Sequence, residues 1–133
     1  MSEPSKYPDA YKDVVGILQS YFDGLYYADS NILADVFHPD AHYVNTVKRD
    51  YMNYSISEYF KIVDQRKSPA SQGEPRNDRI LSIEFGGQRM AFVKAKMTMM
   101  GRDYLDFLTL TFDENGWRVM SKLFTYSPEK RDV

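Results

Sequence analysis

Four segments in the second half of the chain alternate apolar and polar residues with a period of two, and a tight-turn signal separates each from the next. They are Ile80–Phe85, Met90–Met99, Tyr104–Phe112 and Trp117–Tyr126, joined through Gly86-Gly87, the stretch around Gly101, and Asn115-Gly116. A period of two sends successive side chains to opposite faces of a strand, and connections this short join antiparallel neighbours. The pattern predicts an antiparallel meander with one face on a core. Within the segment YLDFLTLTF, Asp106 shares a face with Leu108, Leu110 and Phe112. Such a carboxylate must be paired, hydrogen-bonded or protonated, because burying it bare costs several kcal/mol. It is either a pocket acid or a ligand anchor, or it is paired with an Arg, a Lys or a helix N-terminus.

The same period sorts the other strands. Ala91, Val93, Ala95, Met97 and Met99 form one apolar set, with Lys94 and Lys96 opposite. Along the last strand Trp117, Val119, Ser121 and Leu123 fall together, opposite Arg118, Met120, Lys122 and Phe124. With helices on the first set, the outer face carries Phe92, Leu105, Phe107, Met120 and Phe124 among its charges. That is too much apolar area to leave wet, and it predicts a homodimer packed through the outer sheet face. Lys94, Lys96, Arg118 and Lys122 are then solvated charges or the rim of that interface.

The first half has helical spacing. Tyr11, Val14, Val15, Leu18, Tyr21, Phe22 and Leu25 make one stripe between Pro8 and Ala28, with Pro8 suited to a first helical position. Asp29 or Ser30 can cap a second helix, whose inward side is Leu33, Val36 and Phe37 and which Pro39 ends. AHYVNT (41–46) predicts a short strand, and Ser55 with Glu58 has capping-box spacing for a third helix through about Arg66. The Ser-, Pro- and Gly-rich stretch 67–78 is expected to be a mobile surface loop, and 1–7 and 127–133 flexible tails, around a single domain. Helices followed by a meander make an α+β plan with the helices on one sheet face.

Composition narrows the function. The 133 residues include 11 Tyr, 8 Phe and one Trp; tyrosines pack with the ring and hydrogen-bond with the tip, which suits a pocket wall, an interface or a core. A net charge of −2 provides no positive field for nucleic acid. The absence of Cys excludes disulfides, thiolate nucleophiles and Cys-ligated metals. His38 and His42 share no helix, and the parity that turns Asn45 inward turns His42 out, so no metal site is expected. No nucleotide fingerprint or Ser–His–Asp spacing occurs, and no cofactor is expected. With no apolar run of spanning length and no signal-peptide core, a cytoplasmic protein without membrane contact is expected.

Three stretches, LADVFHPDAHYV, DRILSIEFGGQRMAFVKAKM and YLDFLTLTFDENGWRVMSKLF, resemble the nuclear-transport-factor-2-like (SnoaL/ketosteroid-isomerase-like) superfamily, and most closely its "putative lumazine-binding" group. The resemblance covers nearly the whole chain and implies a cone-shaped α+β fold with three helices packed on a curved, mainly antiparallel sheet around a pocket. This fold hosts enzymes, binders and adaptors alike. Against the ketosteroid isomerases, Tyr21 falls where they place a helix-one tyrosine, and Asn45 where they place the proton-abstracting aspartate. An amide cannot act as that base, so their mechanism does not transfer. Asp106 lies two residues from their second aspartate, on the same face.

The expectation is an apolar pocket with Tyr21, Tyr43, Asn45, Met97, Asp106 and Leu108 binding a small cyclic or aromatic ligand. Met97, with Met99 and Met100, serves equally as core filling, and Tyr21 equally as a core tyrosine. One alternative is an enzyme with Asp106 as acid or base and Tyr21 as hydrogen-bond donor. The other is a dimerisation module with an incidental pocket.

Overall fold

The computed structural model describes residues 4–130; those parts of the expected tails that fall at 1–3 and 131–133 lie outside the described residues. Helix α1 (Asp9–Tyr26) and the short α2 (Ser30–Ala34) precede strands β1 (Phe37–Asn45) and β2 (Met52–Ser55). Helix α3 (Ile56–Gln65), a 3-10 turn (Ala70–Gln72) and strands β3 (Asp78–Gly86), β4 (Met90–Met99), β5 (Arg102–Asp113) and β6 (Gly116–Pro128) follow. The strands form one sheet in the order β2-β1-β6-β5-β4-β3. β3 to β6 are the expected antiparallel meander, and β1 joins it by pairing parallel to β6. The helices cover one sheet face, which is the α+β plan expected from the order of the elements.

Local chemistry fixes the helix starts. Asp29 accepts from the Asn31 amide at 2.9 Å. Ser55 and Glu58 form a full capping box, satisfying two amides left free at the start of α3. Helix α2 ends at Ala34, before Pro39, and FHPDA is strand rather than helix stop and turn. Pro39 has no N–H to donate, and it sits where the β1–β6 register shifts between Phe37 and His42. The stretch 67–78 buries Pro69, and Glu74 accepts from the Tyr26 hydroxyl at 2.6 Å and from the Met100 amide at 2.7 Å. Ser127 and Pro128 pair with Asp103 and Arg102.

The largest departure from simple alternation is in β6. Leu110 pairs with Val119 but Thr109 pairs with Ser121, so Met120 is an extra residue with no partner on β5. Such a bulge reverses the facing of everything beyond it. Trp117 and Val119 point inward as expected, but past the bulge Lys122 and Phe124 are buried and Leu123 is exposed. Period-two counting places Lys122 and Phe124 outside and Leu123 inside; the bulge puts all three the other way round. The Thr109 and Ser121 hydroxyls, 2.6 Å apart, close the outer side of the bulge.

Deleting Met120 would restore unbroken alternation, moving Lys122 out and Leu123 in. The deletion is expected to lower stability by about 4 kcal/mol or more. Met120→Ala keeps the backbone and should cost roughly 1 kcal/mol or less at this half-buried position. Chemical denaturation of the two variants checks this; equal losses would mean that the extra residue does not set the facing of β6.

Candidate functional site

Strand parity puts Asp106 on the inner face of β5, next to Phe124 on β6 and Ala95 on β4. The small Ala95 side chain leaves room above the sheet, and the inner stripe of α1 brings Tyr21 to it. The Tyr21 hydroxyl donates to Asp106 Oδ2 at 2.5 Å, and Lys122 Nζ lies 3.9 Å from the same oxygen. Asp106 and Tyr21 are fully buried and Lys122 is 3% exposed. The second carboxylate oxygen, Oδ1, has no hydrogen-bond partner. Burial raises the Asp106 pKa against the opposing pull of Lys122 and the Tyr21 hydroxyl.

The ammonium of Lys122 is enclosed by rings. Its Nζ lies 5.0 Å from the centroid of Phe124, 5.2 Å from Tyr21, and 5.4 Å from both Tyr43 and Tyr59. All are within range for cation–π attraction, which is strongest where water is excluded. The rings brace one another: Tyr43 stacks on Tyr59 at 4.0 Å and tilts against Phe124 at 4.9 Å. Removing either Asp106 or Lys122 strands the other charge in this core, a loss of about 3–5 kcal/mol.

Tyr43 and Phe124 separate this closed cluster from an open cavity of about 300 Å³. Its walls come from β1 (Tyr43, Asn45), α3 (Ile62), β5 (Tyr104) and β6 (Phe124), with Arg66, Arg102 and Asp50 charged among them. Asn45 is largely committed to the local turn, donating to Asp50 at 2.9 Å and accepting from the Val47 amide at 3.0 Å. Tyr126 also donates to Asp50, and the two bonds, the tyrosine's foremost, hold the Asp50 carboxyl below its usual range. A larger cleft of about 550 Å³ lies towards the other sheet surface, between Arg79, Lys96, Leu105 and Thr125. The smaller cavity is the better candidate because three aromatic rings wall it and it borders the buried ionic cluster.

Of the expected site residues, Tyr43 and Asn45 line the 300 Å³ cavity. Tyr21, Asp106 and Leu108 are fully buried in the closed core, and Met97 lines the outer cleft and a small crevice beside α1. Counting by twos hid Lys122, whose facing depends on the bulge. No sequence pattern marks Arg66, Arg102 or Tyr104 as cavity residues, though Arg66 lies at the end of the third helix and Tyr104 shares the face of Asp106. His38 accepts from the Asp40 amide at 3.0 Å and lies 3.6 Å from Asp113, while His42 is exposed. Among the described residues no group of three or more His, Asp or Glu is placed to hold a metal, and no helix is long and apolar enough to cross a membrane.

This architecture is that of a nuclear-transport-factor-2-like protein. The family described as "putative lumazine-binding" matches residues 9–125, and the chain belongs to it. Among solved structures, the chain is similar to an NTF2-like protein of unknown function from Shewanella baltica OS155. That pair shares 25% identity over 94% of this chain and 99% of the other, with a TM-score of 0.82. An NTF2-like protein of unknown function from Silicibacter pomeroyi DSS-3 is 18% identical, with coverage of 92% and 100% and a TM-score of 0.83. A domain of unknown function with a cystatin-like fold from Nostoc punctiforme PCC 73102 is 13% identical, covering 93% and 81%, with a TM-score of 0.76. No curated protein matches the chain.

The aromatic cluster makes alkali a probe of the core. Burial, first among the causes, pushes the Tyr43 and Tyr59 hydroxyls up to about 12 and raises Tyr21 well above its usual value. A phenol held neutral in the folded state and free to ionise near 10 when unfolded stabilises the fold fully below pH 10. That contribution falls by about 1.4 kcal/mol per pH unit per group as pH rises towards 12. Alkaline titration followed by phenolate absorbance should therefore show these tyrosines ionising together with loss of tertiary structure. Ionisation of all the tyrosines near 10 with the fold intact would contradict it.

Proposed function

We propose that the protein binds a small cyclic or aromatic organic molecule in the 300 Å³ cavity. The observation that carries this reading is the wall itself: Tyr43, Tyr104 and Phe124 rings facing a concave space with a few polar and charged groups at its edge. Ligand sites are commonly such concavities, apolar with sparse polar anchors, and this one is at the lower end of their size range. The family description supports a ligand of this size, since lumazine is a small fused-ring heterocycle. The enzymatic alternative needs substrate to reach Asp106 and Tyr21, both of which lie buried behind Tyr43 and Phe124. Binding without chemistry is therefore preferred.

Ile62 of α3 lines the cavity and is half-buried, so Ile62→Trp should fill the space without disturbing the core. Aromatic fragments titrated into labelled protein are expected to shift the amides of Tyr43, Tyr104 and Phe124, and Ile62→Trp to abolish those shifts. Fragments that bind Ile62→Trp as well as the parent protein would overturn the assignment.

The proposal includes a homodimer through the outer sheet face. Phe107 and Leu123 are 37% and 42% exposed there, and Phe92 packs edge-on against Phe107 at 5.5 Å. Phe124 drops out of that surface and Leu123 replaces it. Sedimentation equilibrium should give a dimer that Phe107→Asp converts to monomer; a monomeric parent protein removes this part of the proposal.

A further inference from the structure

Three charged side chains line the cavity, and their charges do not cancel. Asp50 is ionised, held by Tyr126 and Asn45, and its charge lies near Arg102. The Arg102 guanidinium sits 4.1 Å from the centroid of the Tyr126 ring, so Asp50, Tyr126 and Arg102 form one compensated group. Arg66 has no such counterpart. It is half-buried at the end of α3, its guanidinium 5.7 Å from the centroid of Tyr59, and it takes part in none of the ion pairs among the described residues. Burial opposes its charge, yet its pKa is raised rather than lowered, and the guanidinium is cationic at neutral pH. The Tyr59 hydroxyl beside it makes no well-formed hydrogen bond. The negative end of α3 favours a cation here but supplies only about half a charge.

A half-buried cation without a carboxylate partner, at the wall of a concave aromatic space, is a place for an anion. We propose that the ligand is a small aromatic acid, its carboxylate paired with Arg66 and its ring against Tyr43, Tyr104 and Phe124. A guanidinium presents a planar fork that matches a carboxylate with two parallel hydrogen bonds. One uncompensated positive charge suits a monoanion rather than a doubly charged phosphate ester. A volume of about 300 Å³ suits one or two rings. This inference rests on the cavity being a ligand site and adds the class of ligand.

The test uses matched acids and amides of nearly equal shape: benzoate with benzamide, and 2-naphthoate with 2-naphthamide. Each is titrated into the full chain and followed by amide shifts. The acids are expected to bind at least tenfold more tightly than their amides, with shifts centred on Tyr43, Tyr104 and Arg66. Added salt should weaken only the acids. Arg66→Gln should erase the difference between acid and amide, and Arg66→Lys should keep part of it. Acids and amides binding the cavity equally, or an acid preference that survives Arg66→Gln, would overturn the acid assignment and leave the cavity as a ligand site. Absence of cavity shifts with every probe would overturn both readings. Should Arg66→Gln fail to fold, the acid–amide ratio and its salt dependence in the parent protein still decide.

Discussion

A carboxylate and an ammonium that have both left water set the terms for this fold. Asp106 is tolerable at the centre of the molecule because three things converge on it: a tyrosine hydroxyl from the first helix, a lysine from the last strand, and the rings that enclose that lysine. None of these is local to Asp106 in sequence. The pair ties α1 to β5 and β6 across the layer boundary, and it does so through directional contacts where the surrounding core offers only non-directional ones. Ion pairs of this kind add little net stability compared with a well-packed apolar core, but losing one partner is severe. The position of the whole first helix is thereby tied to the state of one carboxylate.

The tyrosines do two jobs on either side of one wall. Facing inward, Tyr21, Tyr43 and Tyr59 supply ring faces to Lys122; on the other side, Tyr43 and Tyr104 form the aromatic wall of the open cavity. Tyr43 belongs to both sides. A ligand ring laid against it would touch, at one remove, the ammonium behind it.

Much of this was legible from residue order. Period two marked the meander, period 3.6 the long helix, and Ser55 with Glu58 the start of α3, because each depends on neighbours within a few residues. The inward facing of Asp106 was legible too, since β5 follows its own alternation from Tyr104 to Leu110. Its partner was not. Lys122 lies two residues beyond a bulge, and a bulge is defined by pairing with another strand, which no count along one strand detects. The cavity was hidden for a related reason: Asp50, Arg66 and the β5 pair Arg102 and Tyr104 come from three separate parts of the chain, and only the curvature of the sheet gathers them. Pro39 misled in the opposite direction, because a residue that stops helices also occupies strand irregularities.

The extra residue at Met120 also has a meaning for descent. Without it, a lysine at this point of β6 would face outward and Asp106 would keep only the Tyr21 hydroxyl. With it but without the lysine, an apolar residue there would leave the carboxylate equally without a counter-charge. Neither half-step pairs the buried carboxylate with a cation, so the extra residue and the buried lysine depend on each other. A relative that has lost one should have lost the other, together with the acid on the neighbouring strand.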